Sequence, residues 1–219
     1  MSRLYLFPVA GKVTALSAQK RNRKRINVYI DGQFAFGLAA SVATRLQVGQ
    51  YLRDVDIQEL ETADSQQVAY ERALHFLSFR PRSMDEVRRN LSEKGFSELT
   101  VEATLHRLEA AGLVNDLEFA RYWVEQREQF RPRGMAMLRH ELRQKGVSTE
   151  AIALSLEKID EELLAYRAAY RQAERLSALP PKDFGRKLGS YLSRRGFPYP
   201  VVLETVARLR NELCPDQND

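Results

Sequence analysis

The sequence contains one cysteine, Cys214, which excludes an intramolecular disulfide framework and any multi-cysteine zinc site. Its three histidines, His75, His106 and His140, fall at unrelated places with no cysteine beside them, an arrangement that does not suggest metal ligation. No apolar run approaches the ~18 residues that a membrane-spanning helix requires. The N-terminal MSRLYLFPVAGK lacks the long hydrophobic region and small-residue cleavage site of a secretory signal. The expectation is therefore a cytoplasmic protein without a membrane partner. No G-x-x-x-x-G-K-[ST] loop is present to cradle phosphates, and no G-x-G-x-x-G follows a strand. Paired carboxylates such as Glu161-Glu162 sit where a helix begins, a position that acids stabilise through the helix dipole. Neither an enzyme nor a cofactor is expected, and no catalytic, cofactor-binding or metal residue is assigned. Cys214 lies in a polar tail and is read as incidental.

What is present is a folded chain of 219 residues, 44% hydrophobic and 29% charged, too apolar for a disordered protein. The net charge of +5 is unevenly spread. Residues 1–53 hold nine Lys/Arg against one acid, Asp31, and residues 54–64 then carry five acids and no base. This reads as a start that faces a polyanion, or is simply a solvated basic surface, followed by an acidic linker.

Strand character is confined to the first sixty residues. Ile26, Val28 and Ile30 alternate with Asn27 and Tyr29, the period of a half-buried strand. Asp31-Gly32 tolerates the positive φ angles of a tight hairpin turn. Residues 33–38 read as the returning strand, with Phe34, Phe36 and Leu38 on one face, and residues 12–19 as a third strand. Between them Lys20, Arg21, Arg23, Lys24 and Arg25 crowd into six residues, which repulsion and desolvation should hold at an exposed loop tip. Residues 39–46 read as a short helix. So small a module needs a neighbour to be stable.

From about Gln66 the pattern is helical and repeats. Aligning Gly95, Gly146 and Gly196 brings apolar residues into register at offsets −8, −4, +1, +6, +10 and +13, with a basic residue at −1. The first copy reads Val87, Leu91, Lys94, Phe96, Val101, Leu105 and Leu108. The second reads Leu138, Leu142, Lys145, Val147, Ile152, Leu156 and Ile159. The third reads Leu188, Leu192, Arg195, Phe197, Val202, Val206 and Leu209. Apolar residues four apart form one helix face, a cation suits the last turn, and glycine supplies the left-handed stop. A second helix follows, and helices over 66–78, 116–129 and 161–177 complete three-helix units. Ser83-x-x-Glu86 and Asn115-x-x-Glu118 are capping signals, and Pro198 and Pro200 mark the last helix start.

The fold class expected is mainly α: three tandem three-helix repeats in an elongated body, preceded by a small β-hairpin module. Its segments are 1–64 (β module with acidic linker), 65–114, 115–160 and 161–213 (repeats), and 214–219 (tail). Phe119, Tyr122 and Trp123, at i, i+3 and i+4, read as core packing. For Tyr166, Tyr170 and Tyr191 an exposed aromatic surface stays open. The middle helices become more basic along the chain: neutral over 84–94, +3 over 133–145 and +4 over 184–195. The final helices of the first two repeats are acidic, unsuited to reading a major groove. The candidate DNA- or filament-binding residues are therefore Lys20, Arg21, Arg23, Lys24 and Arg25; Arg133, Arg139, Arg143 and Lys145; and Arg186, Lys187, Arg194 and Arg195. Gly95, Gly146 and Gly196 are the structural motif.

The same residues resemble a known family. Ala73-Leu74-x-x-Leu77-Ser78-x-Arg80-Pro81-Arg82-Ser83-x-x-Glu86-Val87, Lys94-Gly95-Phe96 and Gly112-Leu113-Val114-Asn115-Asp116-x-x-Phe119-Ala120 look like RecX regulatory proteins. So do Glu141-Leu142-x-x-Lys145-Gly146-Val147 and Tyr191-Leu192-x-Arg194-Arg195-Gly196-Phe197, and the hairpin Arg25 to Leu38 is similar to the N-terminal extension of longer members. The resemblance spans about 12–209 and implies a non-enzymatic, monomeric modulator of the RecA recombinase. Its implied partners are RecA, the RecA–single-stranded DNA filament, and single-stranded or duplex DNA. The implied action is inhibition of ATPase, strand-exchange and coprotease activity in homologous recombination, DNA repair and the SOS response. The rival reading is a stand-alone, sequence-independent nucleic-acid-binding protein of tandem three-helix modules.

Overall fold

Four short strands, all within the first 52 residues, and ten helices make up the described residues 10–214 of a computed structural model. Strands β1 (Gly11–Ala18), β2 (Arg25–Ile30), β3 (Gln33–Ala39) and β4 (Tyr51–Leu52) form one antiparallel sheet in the order β3-β2-β1-β4. Asp31 and Gly32 turn the β2–β3 hairpin with φ of 47° and 82°, the pair of positive angles a two-residue turn of the right twist needs. The strand β4 was not foreseen. Helix α1 (Ala40–Ala43) is shorter than the sequence suggests.

Two expectations for this module are corrected. A register irregularity between Val28 and Tyr29 pairs Val28 with Phe36 but Tyr29 with Phe34. One extra residue reverses the side-chain alternation, so Phe34 leaves the core face and is 59% exposed, edge-on to the Tyr29 ring. The acidic stretch 54–64 is no linker. It is the first half of a 24-residue helix, α2 (Asp54–Leu77). Acids suit its positive N-terminal end: the Asp56 carboxylate accepts from the Arg53 backbone N–H and guanidinium, and Asp54 and Asp56 occupy the first turn. Ile57 and Leu60 of α2 complete the core that Val13, Val28, Ile30, Leu38 and Leu52 begin, so the small sheet docks on this helix.

The remaining helices are α3 (Met84–Glu93), α4 (Glu98–Ala110), α5 (Asp116–Phe130), α6 (Met135–Gln144), α7 (Thr149–Leu156), α8 (Glu161–Leu176), α9 (Pro181–Arg194) and α10 (Tyr199–Leu213). Three three-helix groups follow: α2–α4, α5–α7 and α8–α10. Gly95, Gly146 and Gly196 have φ of 84°, 75° and 85°, and each closes the middle helix of its group. Asn115 caps α5 by accepting from the Leu117 and Glu118 N–H groups, and the Ser83 hydroxyl accepts from the Glu86 N–H. No described helix is long and apolar enough to cross a membrane.

The chain divides into two compact units. The first holds residues up to Arg80 with Val87–Leu113, and the second holds Pro81–Glu86 with the residues from Val114 onward. In the first unit, Val87, Leu91, Val101, Leu105 and Leu108 are all buried, as are Ala69 and Ala73 on α2. In the second, α5–α7 bury Phe119, Ala120, Val124, Leu138, Leu142 and Ile152, while α8–α10 bury Leu164, Ala165, Phe184, Leu188, Leu192 and Val202. Cys214 corrects the tail reading. Cys214 is the C-cap of α10, and its buried thiol donates to the Ser177 carbonyl at 3.3 Å, while residues 215–219 lie outside the described residues.

Candidate polyanion interface

The candidate cations separate into those the fold has already engaged and those it leaves open. Lys20, Arg21, Arg23 and Lys24 are exposed on the β1–β2 connection. Arg25 is not part of that tip. It is the first residue of β2, half-buried, donating to the Gly37 carbonyl at 2.6 Å and pairing with Asp64 at 2.9 Å. A guanidinium so fixed between strand and helix holds the module to α2 rather than reaching for a ligand.

Within the second unit the middle helices divide in the same way. Arg139 and Arg143 of α6 are exposed, without an acid partner, and line a cleft of about 360 Å3 beside α7. Lys187 and Arg194 of α9 are likewise exposed and unpaired. Arg186 beside them is exposed but pairs with Asp183 at 2.9 Å, and the three line a cleft of about 330 Å3 against α8. Arg133, Lys145 and Arg195 are half-buried and engaged. Arg133 Nε lies 3.9 Å from Glu141. Lys145 Nζ pairs with Glu86 at 2.6 Å, and its backbone carbonyl accepts from the Ser83 hydroxyl at 2.6 Å. Arg195 donates to the Pro132 carbonyl at 3.1 Å and lies over the Tyr191 ring at 4.5 Å. The formal charge of 133–145 thus overstates what that segment offers a ligand, because Lys145 is matched by Glu86 from outside it.

The turn cations stitch neighbouring segments inside this unit. Lys145-Gly146 meets the Ser83–Glu86 turn, and Arg195-Gly196 meets Pro132 and Gly134, whose N–H donates to the Arg195 carbonyl at 2.9 Å. A Cβ on Gly134 would overlap the Gly196 backbone, and one on Gly146 would overlap the Asp85 side chain. These glycines answer to close approach as well as to turn conformation.

Trp123 serves structure. Its indole N–H donates to Glu141 at 2.8 Å, Arg127 pairs with the same carboxylate at 2.7 Å, and the Arg127 guanidinium lies 4.5 Å from the ring centroid. In the first unit Arg88 is held by Glu102 at 3.0 Å, and this partner keeps the Glu102 carboxyl below its ordinary range.

Sequence reasoning missed three cations, Arg131, Arg167 and Arg171. All are exposed and unpaired, and with Tyr166, Tyr170 and Tyr191 they line a cleft of the second unit of about 940 Å3. The i, i+4 pairs Tyr166/Tyr170 and Arg167/Arg171 on α8 were the available signal.

Fold and site together define a tandem three-helix protein with an N-terminal β module and helix faces that carry exposed cations. Three family profiles match its segments: "Regulatory protein RecX N-terminal domain" over residues 11–53, "RecX, first three-helix domain" over 69–108, and "RecX, second three-helix domain" over 115–156. The regulatory protein RecX of Levilactobacillus brevis is 34% identical over 212 residues, covering 94% of this chain and 79% of the relative. That of Bacillus subtilis is 31% identical over 210 residues, covering 93% and 79%. A crystal structure of regulatory protein RecX, 30% identical, superposes with a TM-score of 0.75 over 91% of this chain and all of the other. RecX from Lactobacillus salivarius shares the fold at 22% identity and a TM-score of 0.61. The chain belongs to the RecX family of regulatory proteins.

Proposed function

We propose that this protein binds the RecA recombinase and its filament on single-stranded DNA, and restrains ATP hydrolysis, strand exchange and coprotease activity in recombination, DNA repair and the SOS response. Family membership supports a regulator. The observation that carries the filament part is the set of exposed, acid-free cations on α6 and α9, Arg139, Arg143, Lys187 and Arg194, joined by the tip cations Lys20, Arg21, Arg23 and Lys24. Cations free of internal acids release counterions from a polyanion at no internal cost. Several weak sites on one chain reinforce one another through effective concentration, which suits a partner made of repeating subunits. The reading takes the protein as a cytoplasmic monomer acting without catalysis of its own.

The test is the single-stranded-DNA-dependent ATPase of the cognate RecA, titrated with the protein at two salt concentrations. Wild type should inhibit. Neutralising Arg139 with Arg143, or Arg186 with Lys187, should relieve inhibition more than neutralising Arg88 with Arg89, because Glu102 already holds Arg88. Circular dichroism must first show each variant folded, since arginine stems also cover apolar surface. Tight DNA binding with no effect on RecA would overturn the reading in favour of a stand-alone nucleic-acid-binding module.

A further inference from the structure

We propose that the cleft lined by Phe130, Arg131, Arg167, Tyr170 and Arg171 is a binding site for the unpaired bases of a single strand of nucleic acid. The proposal rests on the polyanion part of the function above and adds to it a site and base stacking as the mode of contact. The cleft is roomy enough for nucleotides, at about 940 Å3, and lies wholly in the second unit. Its walls are fixed. The Tyr191 hydroxyl donates to the Ala168 carbonyl at 3.1 Å, and the Tyr166 hydroxyl donates to Glu212 at 2.8 Å. Arg195 is spent on Pro132 and on the Tyr191 face. What remains open toward solvent is aromatic and cationic. Phe130 is 67% exposed at the end of α5, and Tyr170 is 37% exposed on α8.

The Tyr166 and Tyr170 rings form a tilted pair 5.7 Å apart at 49°, and the exposed side of Tyr170 offers a base an aromatic surface to stack on. The three open guanidiniums, Arg131, Arg167 and Arg171, have no carboxylate partner, and the cleft lining holds a single acid, Glu128. An aromatic platform flanked by unpaired cations matches a strand whose bases are free to stack and whose phosphates follow alongside. A duplex has no free base faces to offer, and an acidic peptide has no use for the exposed rings.

The experiment uses the full chain and no RecA: fluorescence anisotropy of labelled oligo-dT, and of a duplex of equal length, across a salt series. Tyr170→Ala should weaken oligo-dT binding about tenfold without changing the salt slope, and Tyr170→Phe should restore it. Phe130→Ala, at a residue too exposed to threaten folding, should weaken binding in the same manner. Arg167→Ala with Arg171→Ala should instead lower the slope by about 1.4, the share of two single-strand phosphates. Duplex binding should ignore Tyr170→Ala. The proposal is overturned by unchanged oligo-dT affinity in Tyr170→Ala and Phe130→Ala, or by equal losses on duplex. Displacement of oligo-dT by polyglutamate at equal charge would also overturn it and reassign the cleft to an acidic protein segment. Because RecA is absent, none of these outcomes depends on the regulatory reading, and failure of that reading leaves them standing.

Discussion

The second and third repeats bury closely similar cores, yet they place different groups at one matched inward position. Counted from each helix start, Phe119, Ala120 and Val124 of α5 correspond to Leu164, Ala165 and Ala169 of α8, all buried. Trp123 corresponds to Ala168, and counted from the turn glycines, Glu141 of α6 corresponds to Tyr191 of α9. In the second repeat the carboxylate of Glu141, only 15% exposed, gathers Trp123, Arg127 and Arg133 into a closed cluster. In the third, a tyrosine stands in the carboxylate's place and spends its hydroxyl on the Ala168 carbonyl. Arg167 and Arg171 of α8, which stand where the second repeat has Tyr122 and Gln126, carry no acid partner. Arg127 of the second repeat, held by Glu141, has Gln172 as its counterpart, so the third repeat lacks both the acid and the cation of that ion cluster.

The largest effect should come from breaking the joint that the two repeats share. Gly134→Ala places a methyl group against the Gly196 backbone, and a loss of about 3 kcal/mol is expected in thermal unfolding. Gly95→Ala has open space around it and only its φ of 84° to oppose the change, so about 1 kcal/mol is expected. Equal losses for both would mean that the joint relaxes freely. An intermediate effect should follow from uncoupling each repeat's inward position. Glu141→Gln leaves Arg127 and Arg133 without their anion and should cost about 2 kcal/mol, with a shift in Trp123 fluorescence. Tyr191→Phe removes one neutral hydrogen bond and should cost about 1 kcal/mol. A reversed order would show that the third repeat, not the second, depends on its polar contact.

The smallest effect concerns the rim of the third repeat. The Arg208 guanidinium, and then the Tyr166 hydroxyl, hold the Glu212 carboxyl below its ordinary range, while Glu212 raises the Tyr166 phenol. A depressed carboxyl contributes stability that is present above its unfolded pKa and is lost as pH falls through the folded value. The group is exposed, so global stability should hardly move. The Tyr166 ring resonances should nonetheless change as the pH falls below the ordinary carboxylate range and lose that response in Glu212→Gln. Persistence of the transition in the variant would assign it to another acid.

Much of this was legible because the repeat is written in short-range terms. Apolar spacing, a terminal cation and a turn glycine all act within one helical turn, and the matched apolar positions of the second and third copies lie in or against the core. Local rules also located the Asp31-Gly32 hairpin and the Asn115 cap. They misjudged residues 54–64, since a run of acids serves a helix start as well as a linker, and only the docking of Ile57 and Leu60 on the sheet selects the helix. They misplaced Phe34, because a one-residue bulge is invisible in an alternating pattern. By itself the sequence determined the three-helix periodicity, the stops and the family, which depend on neighbours along the chain. Which cations remain available to a ligand was decided by tertiary structure alone. Asp64 reaches Arg25 from 39 residues away and Glu86 reaches Lys145 from 59, while Arg131, Arg167 and Arg171 are left without an acid, and charge neutralisation acts through space, not along the chain.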